Sequence, residues 1–216
     1  MRVALFTLSL VLMFTACSKP TFVWKSEAKS YLLMYQQKMF EGDSFQADFY
    51  YRDALKEARK GSSVKPIAMI YLTSCAMHQA LFMSSNCVNY KKIKPVVKDD
   101  ALDAYATFIL GEKLEPKSVE KYAAVIEALS EKDQKDIYSS IESLKSIYSK
   151  AVAASVVAKK ELLDERLIDY MIYEASKHSM KNLMNVWMQQ KVKFLKKTGR
   201  DIERLRLMEQ IRFLAH

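Results

Sequence analysis

The chain has 216 residues, half of them hydrophobic, and its 34 basic and 25 acidic side chains give a formal net charge of +9 at pH 7. This length and hydrophobicity suit one domain with a substantial core, which only 4 Gly and 4 Pro interrupt. Because Gly and Pro break helices and no alternating Val/Ile/Thr run occurs, the composition predicts an all-α protein and argues against a β-sheet.

The first sixteen residues have the layout of a secretory signal peptide. Arg2 gives a basic start, residues 3–16 form an uncharged and mostly apolar run, and small residues end it. The run is shorter than the ~18–20 residues that a membrane-spanning helix needs. We therefore expect a cleaved signal peptide over residues 1–16. An uncleaved anchor, or a signal peptide followed by a chance cysteine, is the competing interpretation.

The end of that segment, Phe14-Thr15-Ala16-Cys17, resembles the lipobox of bacterial lipoproteins. The resemblance implies cleavage before Cys17, acylation of that cysteine, and a lipidated tether over residues 17–25. Several lipid chains, each contributing about 0.8 kcal/mol per buried methylene, would anchor the chain stably. Ser18 stands where many inner-membrane lipoproteins carry Asp. The resemblance thus implies the outer membrane of a Gram-negative cell, facing the periplasm, with a bacterial cell-surface lipoprotein as the alternative.

Helical patterning begins near Ser26, a plausible N-cap, and continues with Tyr31, Met34 and Tyr35 at helical spacing. Glycines and prolines punctuate the spans that follow. The predicted helices cover residues 26–41, 43–60, 66–83, 99–110, 117–129, 131–159, 161–178, 180–197 and 201–214, with a basic loop at 86–95.

Residues 41–55 resemble the central part of a tetratricopeptide repeat. The matching positions are the turn Gly42-Asp43, then Ala47, Tyr51 and Ala54-Leu55. The resemblance implies an antiparallel hairpin in which two alanines allow close helix approach, and a stack of such hairpins forming a short α-solenoid. The alternative is any antiparallel helical hairpin that packs Ala against aromatic rings.

A degenerate second repeat would pair residues 66–83 with 100–108 and pack Ala101, Tyr105 and Phe108. The repeat-like hairpins would then occupy residues 26–110. Beyond Gly111 no repeat is visible, so residues 111–216 are predicted to be a more irregular helical part of the same domain.

Three cysteines are present, Cys17, Cys75 and Cys87. Acylation of Cys17 would leave an even pair in a compartment that permits disulfides. We expect Cys75 and Cys87 to form a structural disulfide, since no C-x-x-C spacing indicates a redox site. Two unpaired thiols, or a redox pair, are the alternatives.

The positive charge is concentrated in residues 177–216, where ten Lys and Arg side chains face three acidic ones. A solvated helix face is the first interpretation of this basic segment. Contact with an acidic partner ranks second and docking on anionic lipid ranks third. Nucleic acid is not expected as a partner of an exported, lipidated chain.

No metalloprotease, phosphate-loop, nucleophile-elbow or EF-hand motif occurs, so we expect a non-enzymatic protein with no cofactor, no metal and no catalytic residues. The methionines at 180, 184 and 188 share one helical face beside His178 and Trp187. They suggest a second hypothesis, a small-ligand or Cu(I)-binding helical carrier that uses residues 178–188, although core packing is the first interpretation of these methionines. An enzyme acting on peptidoglycan ranks last.

The first hypothesis is an anchored scaffold or assembly factor for an envelope protein complex. The membrane lipid would be held through acylated Cys17, and an envelope protein would bind a groove formed by the repeat-like helices. From their helix positions, the predicted partner-binding residues are Tyr31, Gln37, Lys38 and Tyr50.

Overall fold

The structure is a computed structural model that describes residues 23–115 and 118–215. Within those residues every regular element is helical, which confirms the predicted all-α class. The helices are α1 Val23–Glu41, α2 Ser44–Ala58, α3 Lys65–Ala80, α4 Val88–Val97, α5 Asp100–Ile109, α6 Ala123–Glu131, α7 Gln134–Glu142, α8 Ile147–Lys159, α9 Glu165–Lys177, α10 Lys181–Lys197 and α11 Asp201–Ala215, with a short 3₁₀ helix Glu120–Tyr122 before α6. None of these helices combines the length and apolarity that crossing a bilayer requires.

Helix α8 lies at the centre of the core. All seven residues 151–157 are buried, so the helix is covered on every side. It packs against α3 and is flanked by α5, α7 and α9. Its small side chains, Ala151, Ala153 and Ala154, let these neighbours approach closely.

Helices α1 and α2 form an antiparallel hairpin with more extensive mutual contact than any other helix pair in the described residues. The other flank of α1 packs against α10, where the Asn182 side-chain amide donates to the Met39 carbonyl at 2.9 Å. In a solenoid each repeat contacts only its neighbours. The pairs α1–α10 and α3–α8 join distant parts of the chain, so a stacked solenoid is not confirmed.

Helix α4 covers most of the stretch predicted to be a basic loop, residues 86–95, so that prediction was wrong. The lysines hide a helical pattern, because Tyr90, Ile93 and Val97 recur at spacings of three and four. Tyr90 is buried, and its hydroxyl donates to Asp103 of α5 at 2.5 Å. The predicted packing of a second repeat is therefore only partly seen. Phe108 is buried as predicted, but Ala101 is exposed and Ala106 is buried in its place.

The single helix predicted for residues 131–159 is also wrong, because the chain turns twice there. Lys132 adopts a left-handed conformation at φ 58°, and the Asp133 carboxylate then caps α7. Ser146 caps α8 in the same way, accepting from the Ser149 backbone N–H. Asp and Ser compete for backbone hydrogen bonds and so favour helix starts over helix interiors.

Cys75 near the end of α3 and Cys87 at the start of α4 form a disulfide, as predicted. Their Cα atoms are 5.1 Å apart and both residues are buried. Cys87 has φ 50°, a left-handed conformation that turns the chain from the loop into α4. The bond therefore ties α4 to the helix that packs on the centre of the core.

Candidate protein-binding surface

The turn between α1 and α2 matches the local prediction. Gly42 has φ +99°, a conformation that L side chains rarely adopt, and the helix ends there. The Asp43 carboxylate then accepts from the Gln46 backbone N–H at 3.0 Å and starts α2. This turn directs α2 back along α1 and positions their shared surface.

The interior seam of the hairpin is built from small and aromatic residues. Ala47 and Ala54 are buried against α1, as the resemblance implied. The Tyr35 and Tyr51 rings meet with centroids 5.3 Å apart, and the Tyr35 hydroxyl donates to Ser74 of α3 at 3.1 Å. Burial raises the pKa of Tyr35 to about 12, so this phenol stays neutral and serves packing.

The structure brings two of the four predicted partner-binding residues together. The Tyr31 ring of α1 stacks on the Tyr50 ring of α2 with centroids 6.2 Å apart. Both rings are partly exposed, at the edge of the seam. They form a flat aromatic patch that bridges the two helices.

The other two predicted residues lie at the C-terminal end of α1, where they bind Glu41. Gln37 donates to this carboxylate at 2.6 Å and the Lys38 ammonium lies 2.7 Å from it. The hydrogen bond to Glu41 raises the pKa of Lys38, and the bonds from Lys38 and Gln37 lower the pKa of Glu41. The charge of Lys38 is thus balanced locally, next to Tyr50.

Two residues that sequence reasoning missed, Phe45 and Phe49, extend this patch. Phe45 is 80% exposed and Phe49 is 47% exposed, and the Phe49 ring meets Tyr50 edge-on at 5.4 Å. They stand four positions apart on the side of α2 opposite the buried alanines. The sequence does contain a signal for this exposure, because both phenylalanines lie on the helix face opposite Ala47 and Ala54. We call Tyr31, Lys38, Phe45, Phe49 and Tyr50 the hairpin surface.

A second feature is an apolar groove at the opposite end of α1, with a cavity of about 710 Å³. Trp24, Leu32 and Ile70 are among its apolar lining, and four lysines border it, namely Lys25, Lys29, Lys60 and Lys65. Lys60 pairs with Glu57 at 2.6 Å, and Lys65 pairs with Asp99. The groove therefore combines an apolar floor with a basic border beside the first described residue of the chain.

The methionine-rich segment, residues 178–188, mainly contributes to packing. Met180 and Met188 are buried, Met184 is partly buried, and Trp187 is fully buried in a T-shaped ring contact with Phe82. His178 is exposed beyond the end of α9. In residues 23–115 and 118–215, no group of three or more His, Cys, Asp or Glu side chains is placed to hold a metal ion.

Part of the basic segment is neutralised by α9. Lys191 lies 2.5 Å from Asp169, and Arg200 lies 2.6 Å from Glu165 and 2.5 Å from Glu203. These pairs join α9, α10 and the start of α11. The charge excess of residues 177–216 thus partly serves contacts within the protein, in addition to its solvated face.

Cys17, the predicted lipidation site, lies outside the described residues, as does the predicted signal peptide. Helix α1 begins at Val23, within the stretch predicted as the tether. Comparisons of the chain with protein-family models, with curated proteins and with solved structures found no match.

Proposed function

We propose that this chain is an exported lipoprotein, anchored through acylated Cys17 in the outer membrane and facing the periplasm. It acts as a non-enzymatic scaffold that holds a protein partner on the hairpin surface. The observation that carries the binding role is the exposure of Phe45 and Phe49 beside the Tyr31–Tyr50 ring pair. Aromatic anchors of this kind dominate the energetics of protein interfaces.

The distances along the chain support the anchoring geometry. Six residue steps separate Cys17 from Val23, which can span at most about 22 Å. The N-terminal end of α1, with the lysine-bordered groove, would therefore lie near the membrane, where basic side chains suit anionic headgroups. Phe45 lies at the far end of the hairpin, about 28 Å along the axis of the 19-residue helix α1. The exposed phenylalanines are thus presented away from the anchor.

The chemistry of the hairpin surface also favours a protein partner. Its rings lie at the open edge of two packed helices, and its one cation, Lys38, is paired with Glu41. A flat aromatic surface with balanced charge suits the apolar side of a helix or an extended peptide. Because the surface faces solvent on α2, a partner can dock without any change in the hairpin.

Photo-crosslinking tests the partner role. A benzophenone amino acid is placed at position 45 or 49 of the membrane-anchored protein, and at exposed Tyr173 of α9 as the control. We expect one envelope protein to crosslink from 45 and 49 but not from 173. With that partner purified, Phe45→Ala with Phe49→Ala should weaken binding by about thirtyfold and leave thermal unfolding unchanged. Equal crosslinking from all three positions would contradict the proposal.

Metabolic labelling with palmitate tests the anchoring separately. We expect label on the unsubstituted chain and none on Cys17→Ser. An unlabelled chain with an intact N-terminus would remove the lipid anchor from the proposal, and the crosslinking result would still decide the partner role.

A further inference from the structure

Helix α11 is the most peripheral helix of the described residues. It packs mainly against α10, and none of its residues 201–214 is buried. Ile202 is 70% exposed and Phe213 is 83% exposed, on the face opposite the partly buried Leu207, Met208 and Ile211. These apolar side chains are not buried by the packing of the protein itself, which is typical of a helix face that contacts another molecule.

The outward side of α11 carries a regular stripe of four residues, which we call the α11 stripe: Ile202, Arg206, Glu209 and Phe213. Steps of four, three and four positions place them on one helical face. Arg206 and Glu209 are exposed, and none of the ion pairs found in the described residues involves either of them. Two opposite charges are therefore held between two apolar ends.

The order of these four residues is self-complementary. The midpoint between Ile202 and Phe213 falls between positions 207 and 208. The midpoint between Arg206 and Glu209 falls at the same place. A twofold axis through that midpoint places a second copy of α11 antiparallel to the first. Each Ile202 then meets the second copy's Phe213, and each Arg206 meets the second copy's Glu209. In a parallel pair Arg206 would face Arg206, which like-charge repulsion disfavours.

The geometry points to α11 as a homodimerisation helix, through which two copies of this chain pair antiparallel along the α11 stripe. The charge of the helix favours a second copy over a lipid surface, because its three arginines are matched by three acidic residues and Glu209 lies inside the stripe. This inference does not depend on the proposed function, since it uses a helix remote in sequence from the hairpin surface.

Cysteine crosslinking tests the pairing and its direction. Ile202→Cys and Phe213→Cys are combined in the full chain, and each single variant and the unsubstituted chain are controls. The two positions lie about 16.5 Å apart along one helix, too far for a disulfide within one molecule. Upon mild oxidation we expect covalent dimers from the double variant that exceed those of all three controls. Dimers formed equally well by I202C alone would indicate a parallel pair and overturn the proposal.

Charge reversal tests the central contacts in the otherwise unsubstituted chain. We expect R206E alone and E209R alone each to weaken self-association at least about tenfold in sedimentation equilibrium. The combination R206E/E209R recreates both pairs and should restore the dimer, while far-ultraviolet circular dichroism stays constant throughout. A chain that sediments as a monomer at every concentration, or a double reversal that restores nothing, would overturn the inference.

Vesicle flotation addresses the competing lipid surface. With phosphatidylglycerol vesicles, we expect Phe213→Ser to bind as the unsubstituted chain does, while its self-association falls. If F213S instead loses vesicle binding and keeps its self-association, the α11 stripe is a membrane contact and the dimer proposal fails.

Discussion

At the level of single residues, the buried ion pair between α8 and α9 is the most consequential polar contact in the described core. Lys150 lies 2.8 Å from Glu174 and also donates to the Tyr170 hydroxyl at 2.6 Å. The exposed fractions of the two charged side chains are 12% and 8%. Each charge is tolerated because the other neutralises it, and removal of Lys150 leaves the buried Glu174 with only the more distant and exposed Lys177 ammonium, at 3.8 Å.

Lys150→Met should therefore lower the free energy of unfolding by about 3–5 kcal/mol, measured by urea titration. Combining it with Glu174→Leu removes both charges and should recover most of that loss. If the double variant is no more stable than K150M, the buried charge of Glu174 is not the cause.

The same pair predicts a pH dependence. Burial alone would raise the pKa of Glu174, but the hydrogen bond and charge of Lys150 lower it below 4.5. Burial alone would lower the pKa of Lys150, but its bonds to Glu174 and Tyr170 raise it above 10.5. The stabilisation is thus complete between these values and is lost as the pH falls through the folded pKa of Glu174. K150M/E174L should consequently lose less stability in acid than the unsubstituted chain does.

Gly61 provides a steric prediction at a single position. A Cβ there would lie 2.5 Å from the Trp24 ring, which rests directly on the glycine. Gly61→Ala should displace the ring, lower the free energy of unfolding by about 1–3 kcal/mol and make Trp24 more accessible to acrylamide quenching. In a Trp24→Ala background the same substitution should cost much less, and an equal cost in both backgrounds would exclude the ring contact as the reason.

At the level of helices, the sequence predicts elements well where glycine and apolar spacing act together. Gly42 with Asp43, and Gly111, mark real helix ends, and the alanines of α2 lie in the predicted seam. The errors fall where one signal masks another. Lysines hide the helical spacing of α4, and uninterrupted helix formers hide the breaks at Asp133 and Ser146, where single side-chain caps decide.

Helix α4 leads to a prediction about the disulfide. Tyr90 is its one buried residue, so the helix depends on the bond between Cys75 and Cys87 and on the Tyr90–Asp103 contact. The double variant C75S/C87S should lose about 2–4 kcal/mol of stability. In hydrogen exchange, the amides of α4 should lose more protection than those of α8, and uniform loss across both helices would contradict this local role.

At the level of the whole molecule, the last two helices contribute very unequally to the stability of the fold. Helix α10 buries Leu183, Trp187, Met188 and Leu195, whereas none of residues 201–214 of α11 is buried. A chain ending after residue 200 should fold cooperatively and lose about 1–2 kcal/mol, mostly from uncovering Met188. A chain ending after residue 180 should not fold, because it lacks all four buried side chains of α10. Circular dichroism melts distinguish the outcomes, and similar melts for both chains would refute the assignment.

The candidate surface was only partly predictable for a related reason. Tyr31 and Tyr50 were placed by helix position, and their rings do meet across the hairpin. Phe45 and Phe49 were missed because an apolar residue is ordinarily assigned to the core. Only the structure shows that other side chains already fill the core and leave these two exposed. The closure of α1 onto α10 could not be read from local patterns, since it depends on contacts between distant segments.

That closure has a consequence for the nascent chain. The hydrogen-bond donor to the Met39 carbonyl, Asn182, is synthesised 143 residues later. At about 5–20 residues per second, translation takes about 7–30 s to supply it. During that interval the flank of the first hairpin that later packs on α10 stays exposed, so a chaperone that meets the growing chain finds this hairpin still incomplete.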